Sequence, residues 1–540
     1  MSSIYLKKIL PEIPRLLGLL DKNFNSPTFG SFDRNFWHYN ITDFASARFQ
    51  EAVLTLTLLY NLKDPENIYF QDNKILSFIL GGIDFWCKIQ KKDGSFDEWY
   101  PNEHSFVATA FSTYSISESL ILLKDKIKDT SRIVKHLKRA GEFLLSHEDF
   151  SASNQVAGSI IALYNIYLLT SEERFKKGAL IKLKKLEDIQ KEEGWFPEYN
   201  GPDIGYLSLA IDYLSKYHQK TMDEKAKNMI TKALDFLKYF SHPDLSFGGE
   251  YASRNTKYII PSGIEYSAKW SDSARRILYS LRKALQEEKS IGPYNLDDRY
   301  LAYVGYTYIQ AHENFYNGEL KNPIYEERFS KYFSESGIFI ESNENFYVIG
   351  NLRKQGIFRI DFKKSNLSLK DSGPIVYIKG KIYSPFLNLN SRISIKENYI
   401  SEGSLLKIPF NKMTPLKNIL LRLFQMTLGR NKKISFRVKN LLRGMLISYK
   451  KGGDVFLRRV LKIMEDKITI EDEIASKYII DKIIIGIENP FIFIPSSRYF
   501  QKQDLKDFFS YHILEVNNRF IKIRREYNVE GKEELNYQSF

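Results

Sequence analysis

The chain has one cysteine in 540 residues, Cys87. A lone thiol cannot form an internal disulfide, and Cys87 sits in the apolar run IDFWCKIQ, where a small core residue belongs, so no catalytic thiol is expected. The eight histidines are scattered, with no HxH or HxxxH pair beside a third ligand, so no metal and no cofactor are expected. There is no Gly-rich phosphate loop, no zinc-finger spacing and no basic arm, which argues against a nucleic-acid partner. No run of about 18 apolar residues offers a membrane span. The first segment, MSSIYLKKILPEIPRLLGLLDKN, interrupts its apolar positions with charges, Pro11 and Pro14, unlike a secretory leader; the expected location is cytoplasmic.

What is present is size, aromatic rings and positive charge. One hydrophobic core usually stops growing at roughly 250 to 300 residues, so two domains are the default. The 35 Tyr and 38 Phe suit a sugar-binding cleft as well as ordinary cores. Lys and Arg outnumber Asp and Glu by 79 to 65, a formal +14, which points to an anionic partner: an acidic glycan or an anionic membrane surface.

Over residues 1–320 two kinds of helical pattern alternate. Asn154–Leu169 (NQVAGSIIALYNIYLL) and Asp203–Tyr217 (DIGYLSLAIDYLSKY) are apolar nearly all round and predict helices buried on most faces. Ser131–His147 instead carries one stripe, with Ile133, Leu137, Ala140 and Phe143 opposite Lys135, Lys138 and Arg139. Further inner helices are predicted near Asp43, His104, Ser262 and Asp298, and outer ones near Lys74, Ser171, Asp223 and Asp272. The segments before inner helices resemble one another: DGSFDEWYPNEHSF at Asp93, EGWFPEYNGPDIGY at Glu193 and LSFGGEYASRNTKYIIPSG at Leu245. Such a repeat predicts an incomplete (α/α)6 toroid whose Gly-aromatic loops gather on one face. A solenoid is the alternative, because periodicity does not close a ring.

After a linker at 321–335 the period becomes strand-like, and 336–540 is expected to form an antiparallel β-sandwich. Its strands include Gly356–Phe362, Pro374–Ile382, Lys467–Glu473 and Lys482–Glu488. The insertion 413–453 breaks that pattern, with ten Lys or Arg, no Asp or Glu, and the helical stretch PLKNILLRLFQMTLG. It reads either as a helix packed on the sandwich or as a surface for anionic membrane, which would make the protein peripheral at the inner membrane face.

Chemistry concentrates at Asn154, at the start of one inner helix, and at Glu198, Tyr199 and Tyr206, at the entrance of the next. Here SASNQVAGSIIALYNIY and EEGWFPEYNGPDIGYLSLAIDYL resemble the inner helices of heparinase II/III-like polysaccharide lyases, and VFLRRVLKIMEDKITIEDEI resembles a sandwich hairpin of that family. The resemblance implies a toroid followed by a β-domain, and cleavage of a uronate-containing acidic polysaccharide or oligosaccharide by β-elimination. It implies that Asn154 neutralises the substrate carboxylate and that Tyr206 is base and acid. Gln155 stands where the family commonly has His, so His104, from the preceding entrance, is the candidate imidazole. The β-domain also lacks the family's His-rich metal-binding stretch.

Removing a proton alpha to a carboxylate builds negative charge, which an amide such as Asn154 and a guanidinium such as Arg254 or Arg48 can stabilise. Candidate binding residues are Arg48, Trp99, Gln155, Glu198, Tyr199, Tyr251, Arg254, Asn255 and Tyr258. Each has a structural reading too: Asn154 as a helix cap, Tyr206 as a core aromatic, His104 as a loop histidine. Asp97, Glu98, Glu103 and Glu198 either anchor loops or supply the acid and base of a glycoside hydrolase. A uronate epimerase and a non-catalytic glycan-binding protein of surface-polysaccharide synthesis fit the same scaffold. A class II terpene cyclase shares Gly-aromatic repeats, but its acidic DxDD-type box is absent.

Overall fold

The computed structural model describes residues 3–148, 151–199, 201–385, 391–408, 412–431, 434, 435, 437, 438, 441, 452–488 and 511–540. Its N-terminal helices are α1 (Ile4–Ile9), α2 (Ile13–Leu19), α3 (Arg34–Trp37), α4 (Ala52–Asn61), α5 (Asn73–Ile89), α6 (Phe106–Leu122) and α7 (Ser131–Ser146). They continue as α8 (Ser153–Thr170), α9 (Glu173–Ile189), α10 (Ile204–Thr221), α11 (Glu224–Leu237), α12 (Ser262–Ser267), α13 (Asp272–Gln286) and α14 (Asp298–Glu313). Among the described residues no helix is long and apolar enough to cross a membrane.

Helices read as apolar all round form an inner ring. In it α4 packs on α6, α6 on α8, α8 on α10, α10 on α12, α12 on α14, and α14 back on α4. The ring is therefore closed, and the solenoid is excluded. Outside it lie α5, α7, α9, α11 and α13, each against the inner helix before it, and the short α1 takes the sixth outer place against α13 and α14. Burial follows the sequence pattern: α7 hides Ile133, Leu137, Ala140, Phe143 and Leu144 and turns its charges outward, whereas α10 is buried from Leu207 through His218.

The repeat has a physical basis. Gln90 Nε2 donates to the carbonyls of Gly94 and His136, and Gln190 Nε2 donates to those of Gly194 and Met229. Gly94 (φ +88°) and Gly194 (φ +106°) press on the next outer helix so closely that a Cβ would lie 2.0 Å from the Arg139 carbonyl oxygen and 2.1 Å from that of Lys232. Only glycine fits both the backbone angle and the space. Caps on Ser105, Asp203 and Asp297, which accept from the amides of Ala108, Tyr206 and Tyr300, start α6, α10 and α14 beside these loops.

The C-terminal half has two antiparallel sheets. The first is a meander of β1 (Phe329–Phe333), β2 (Ile338–Ser342), β3 (Phe346–Asn351), β4 (Ile357–Phe362) and β5 (Leu367–Asp371). The second contains β6 (Ile375–Ile378), β7 (Lys381–Ser384), β8 (Arg392–Ile395), β9 (Tyr399–Lys407), β10 (Gly452–Ile463), β11 (Lys467–Ile485), β12 (His512–Asn528) and β13 (Glu533–Ser539). Its order is β10-β9-β7-β6-β11-β12-β13, with β8 on β9. Phe339, Val348, Phe358 and Ile360 of the first sheet share a core with Leu461, Ile470 and Tyr527 of the second.

Three local readings change. The first strand begins at Phe329, inside the stretch expected to be a linker, because Phe329 and Phe333 stack edge-on against Tyr239 and Phe236 of the toroid. Pro374–Ile382 is not one strand but the start of a hairpin: Lys379 and Gly380 both have positive φ, the two-residue turn that matches strand twist. Lys467–Glu473 and Lys482–Glu488 fall largely on the single strand β11, which bulges between Ala475 and Lys482.

Candidate active site

The entrances of α8 and α10 are bound edge to edge. Ala152 and Glu198 form an isolated bridge, and Ser153 Oγ donates to the Pro197 carbonyl at 2.7 Å. Because Ala152 takes the N-cap position, Asn154 lies in the first turn and its side chain is released from capping. Instead the Asn154 backbone N–H and Nδ2 both donate to Glu198 Oε1, at 2.7 and 2.8 Å. Next to them Asp203 Oδ1 accepts from the Tyr206 amide at 2.8 Å and from the Thr256 hydroxyl. Arg254 lies with its guanidinium 3.8 Å from the Tyr199 ring centre, and Tyr199 is held at φ +54°. Tyr206 is half-buried, its ring edge-on to that of Tyr258 at 6.4 Å, and Tyr258 continues to Tyr300 at 6.1 Å.

Glu198, Asp203 and Arg254 are all buried, and Glu198 Oε2, Asp203 Oδ2 and Arg254 Nη2 have no hydrogen-bond partner among the described residues. Orphaned buried polar atoms of this kind call for a polar partner, a water or a bound group. Burial pushes the Glu198 carboxyl up to about 8; the hydrogen bonds from Asn154 and the charge of Arg254 oppose the rise, and Asp203 adds to it. Burial likewise pushes Asp203 up to about 7, against Thr256, the Tyr206 amide, Arg254 and Lys354. At neutral pH Glu198 is mainly a neutral acid, able to donate a proton in a hydrogen bond.

The β-domain holds the third entrance in place. Lys354, between β3 and β4, donates through Nζ to the carbonyls of Glu250 and, at 2.8 Å, Ala252. Burial lowers this lysine to about 8. Asn351 Nδ2 reaches the Tyr251 carbonyl at 2.7 Å, while Glu488 meets Lys257 at 2.8 Å and Asn255 Nδ2 at 3.2 Å. The backbone that carries Arg254 is thus clamped from the other domain.

The remaining candidates divide. Trp99 is 48 % exposed, with the Arg299 guanidinium 4.4 Å from its ring centre, a flat platform beside a cation. Gln155 is half-buried on the first turn of α8 beside Asn154. Arg48 lies deep in the ring, paired with Glu51 and stacked on Tyr303 at 3.9 Å and Phe111 at 4.7 Å; Glu98 is 3.8 Å away. Tyr251 is a core residue rather than a groove contact: it is buried, bonded to His242 Nε2 at 2.8 Å and stacked on Phe240. His104 is tied into its own loop, its Nδ1 2.8 Å from Ser95 Oγ and 2.9 Å from Asp93. Asp97 and Glu103 anchor that loop, Asp97 by accepting from the amides of Asn102 and His104, and Glu103 by accepting from those of Glu98 and Trp99.

Sequence reasoning did not single out Asp203, Lys354 or Arg299. The spacing of Asp203 and Tyr206 is a capping signature that marks Asp203 as fixed, but Lys354 arrives from another domain and leaves no local signal. Among the described residues no group of three or more His, Cys, Asp or Glu is arranged to hold a metal ion.

No protein-family model and no curated protein matches this chain. Among solved structures it is similar to the chondroitin AC lyase of Streptomyces coelicolor A3, solved with chondroitin sulphate: TM-score 0.53, 10 % identity, 89 % of this chain and 67 % of that one. The chain shares the fold of that enzyme. A heparan sulfate lyase from Pedobacter heparinus aligns with TM-score 0.40 at 9 % identity, over 91 % of this chain and 82 % of that one.

Proposed function

We propose that this protein is a polysaccharide lyase that cleaves a uronate-containing acidic glycan by β-elimination at the loop face of its toroid. The observation that carries this reading is the convergence of Asn154, neutral Glu198 and Arg254, with orphaned polar atoms, beside the half-buried Tyr206. The shared fold and the +14 charge favour the same substrate class.

In this mechanism the uronate carboxylate binds against Arg254, Asn154 and the Glu198 carboxyl, and as its charge grows these donors stabilise it. Tyr206, as phenolate, takes the proton alpha to the carboxylate. The freed electron pair becomes the new carbon–carbon double bond, the glycosidic carbon–oxygen bond breaks, and the leaving oxygen recovers the proton from Tyr206. The test is ultraviolet absorbance of the conjugated product across a panel of uronate polysaccharides. Cleavage without that absorbance would mean hydrolysis, and proton exchange without cleavage would mean epimerisation; either result would overturn the reading.

The pH dependence follows from Glu198. Its carboxyl is neutral below about 8 in the folded protein, so its ionisation adds an alkaline limb to kcat/KM that offsets the gain in Tyr206 phenolate beyond that value. Glu198→Gln keeps a donor and an acceptor and should remove this alkaline limb. Stability should move the same way: between the ordinary carboxylate range and about 8 the unfolded chain releases a proton that the folded protein keeps, so rising pH disfavours folding, and the Gln variant should lose that slope. An unchanged alkaline limb would remove Glu198 from the mechanism.

Trp99 offers a sugar-stacking face and Arg299 a charge beside it. Trp99→Ala is expected to raise KM roughly tenfold, about 1.4 kcal/mol of binding, with kcat little changed. A steady-state comparison that found kcat reduced and KM intact would place Trp99 elsewhere in the cycle.

A further inference from the structure

Helix α15 (Pro415–Met426) joins β9 to β10 and leaves the β-domain to rest on the toroid. Asn102 Nδ2 donates to the Gln425 carbonyl at 2.9 Å, Ser435 Oγ donates to the Asn102 carbonyl at 3.0 Å, and Arg422 pairs with Asp43. The expectation that this helix packs on the sandwich is therefore corrected.

The face turned to the toroid mixes Arg422 and Gln425 with half-buried Leu421 and Phe424, while the outward face is apolar and exposed. Leu416, Ile419, Leu420, Leu423 and Met426 recur at helical spacing on the side opposite Gln425, each 54–65 % exposed. Met413 and Leu428 extend the patch beyond both ends of the helix. Lys417 on the helix and Lys412, Arg430 and Arg437 in the flanking sequence are exposed, and the sequence from 413 to 453 contains no acidic residue. A contiguous apolar patch of this kind marks an interaction site.

We propose that α15 docks the protein onto an anionic lipid bilayer, its apolar face between the headgroups and its basic flanks on the lipid phosphates. Charge complementarity selects this occupant: apolar stripe and cationic rim together are the pattern of an interfacial helix. A second copy would bring two cationic rims together, which repel.

The test is co-sedimentation of the full chain with phosphatidylglycerol/phosphatidylcholine vesicles and with phosphatidylcholine vesicles alone, at low and high salt. The protein should bind the anionic vesicles, and salt should weaken binding. The variant Leu416→Gln/Ile419→Gln/Leu423→Gln, whose changes are all exposed, should keep its melting temperature and partition less by on the order of a hundredfold. Equal binding to both vesicle types, no binding to the anionic ones, or unchanged binding by the variant would overturn the proposal. So would a dimer in light scattering that the variant dissociates, which would assign the face to a second copy.

Discussion

Asp371→Ala is expected to cost roughly 3–5 kcal/mol of stability, the cost of leaving a buried charge uncompensated. Asp371 ends β5 in the first sheet, yet its partners lie in the second: Arg459 Nη1 on β10 at 3.1 Å and Arg525 Nη1 on β12 at 2.6 Å. Asp472 on β11 completes the set, taking Arg459 in a two-pronged pair at 2.6 and 2.7 Å. All four side chains are at most 1 % exposed, and the two positive and two negative charges balance. Removing one carboxylate leaves a net positive charge with no water to solvate it. Burial opposes ionisation of Asp371, but Arg525 and Arg459 more than offset it and hold the carboxyl well below the usual range. A carboxyl depressed in this way contributes stability that is complete above the ordinary carboxylate pKa and is lost only as pH falls through the folded value, so the network should survive mild acid. Denaturant unfolding of the variant is the check, and a loss under about 1 kcal/mol would mean that water reaches the network.

Tyr206→Phe is expected to lower kcat about a thousandfold with little change in KM, the size of an acid–base contribution to a transition state. The change removes one oxygen and keeps the ring that meets Tyr258 edge-on, while α10 still starts at its Asp203 cap. Binding through Arg254 and Asn154 is untouched, so a fall confined to kcat separates chemistry from affinity. A variant with undiminished formation of the unsaturated product would transfer the base role away from Tyr206; Tyr199, beside Arg254, would be the next residue to substitute.

The toroid was legible because its inner helices are apolar on every face, and only a ring or a packed stack buries such helices. The Gly-aromatic repeat was legible as a pattern, but the glutamine that ties two of its three loops to the next outer helix needs partners about forty residues away. The hairpin at Lys379 and Gly380 was missed because β-branched and apolar residues flank the turn on both sides and hide it. At the site, Asn154 stood out in the sequence, but capping and binding were indistinguishable until Ala152 was seen to take the cap position. Tyr251 and Tyr258 share one polar-aromatic segment and look alike in sequence. Both are buried, but Tyr251 bonds His242 and stacks on Phe240, whereas Tyr258 meets Tyr206.

Closure of the ring also bears on how the chain is made. The sixth outer place belongs to α1, which packs against α14, with Ser3 Oγ 3.0 Å from His312 Nδ1. During synthesis, therefore, α1 waits for the rest of the toroid to leave the ribosome before it finds its seat. Until then α6, α8 and α10 emerge one by one with apolar surface on sides that no neighbour yet covers. Incomplete rings of this kind are sticky. The nascent chain should thus lean heavily on holding chaperones until α14, which ends at Glu313, has emerged, and ribosome profiling of chaperone occupancy should show release soon afterwards.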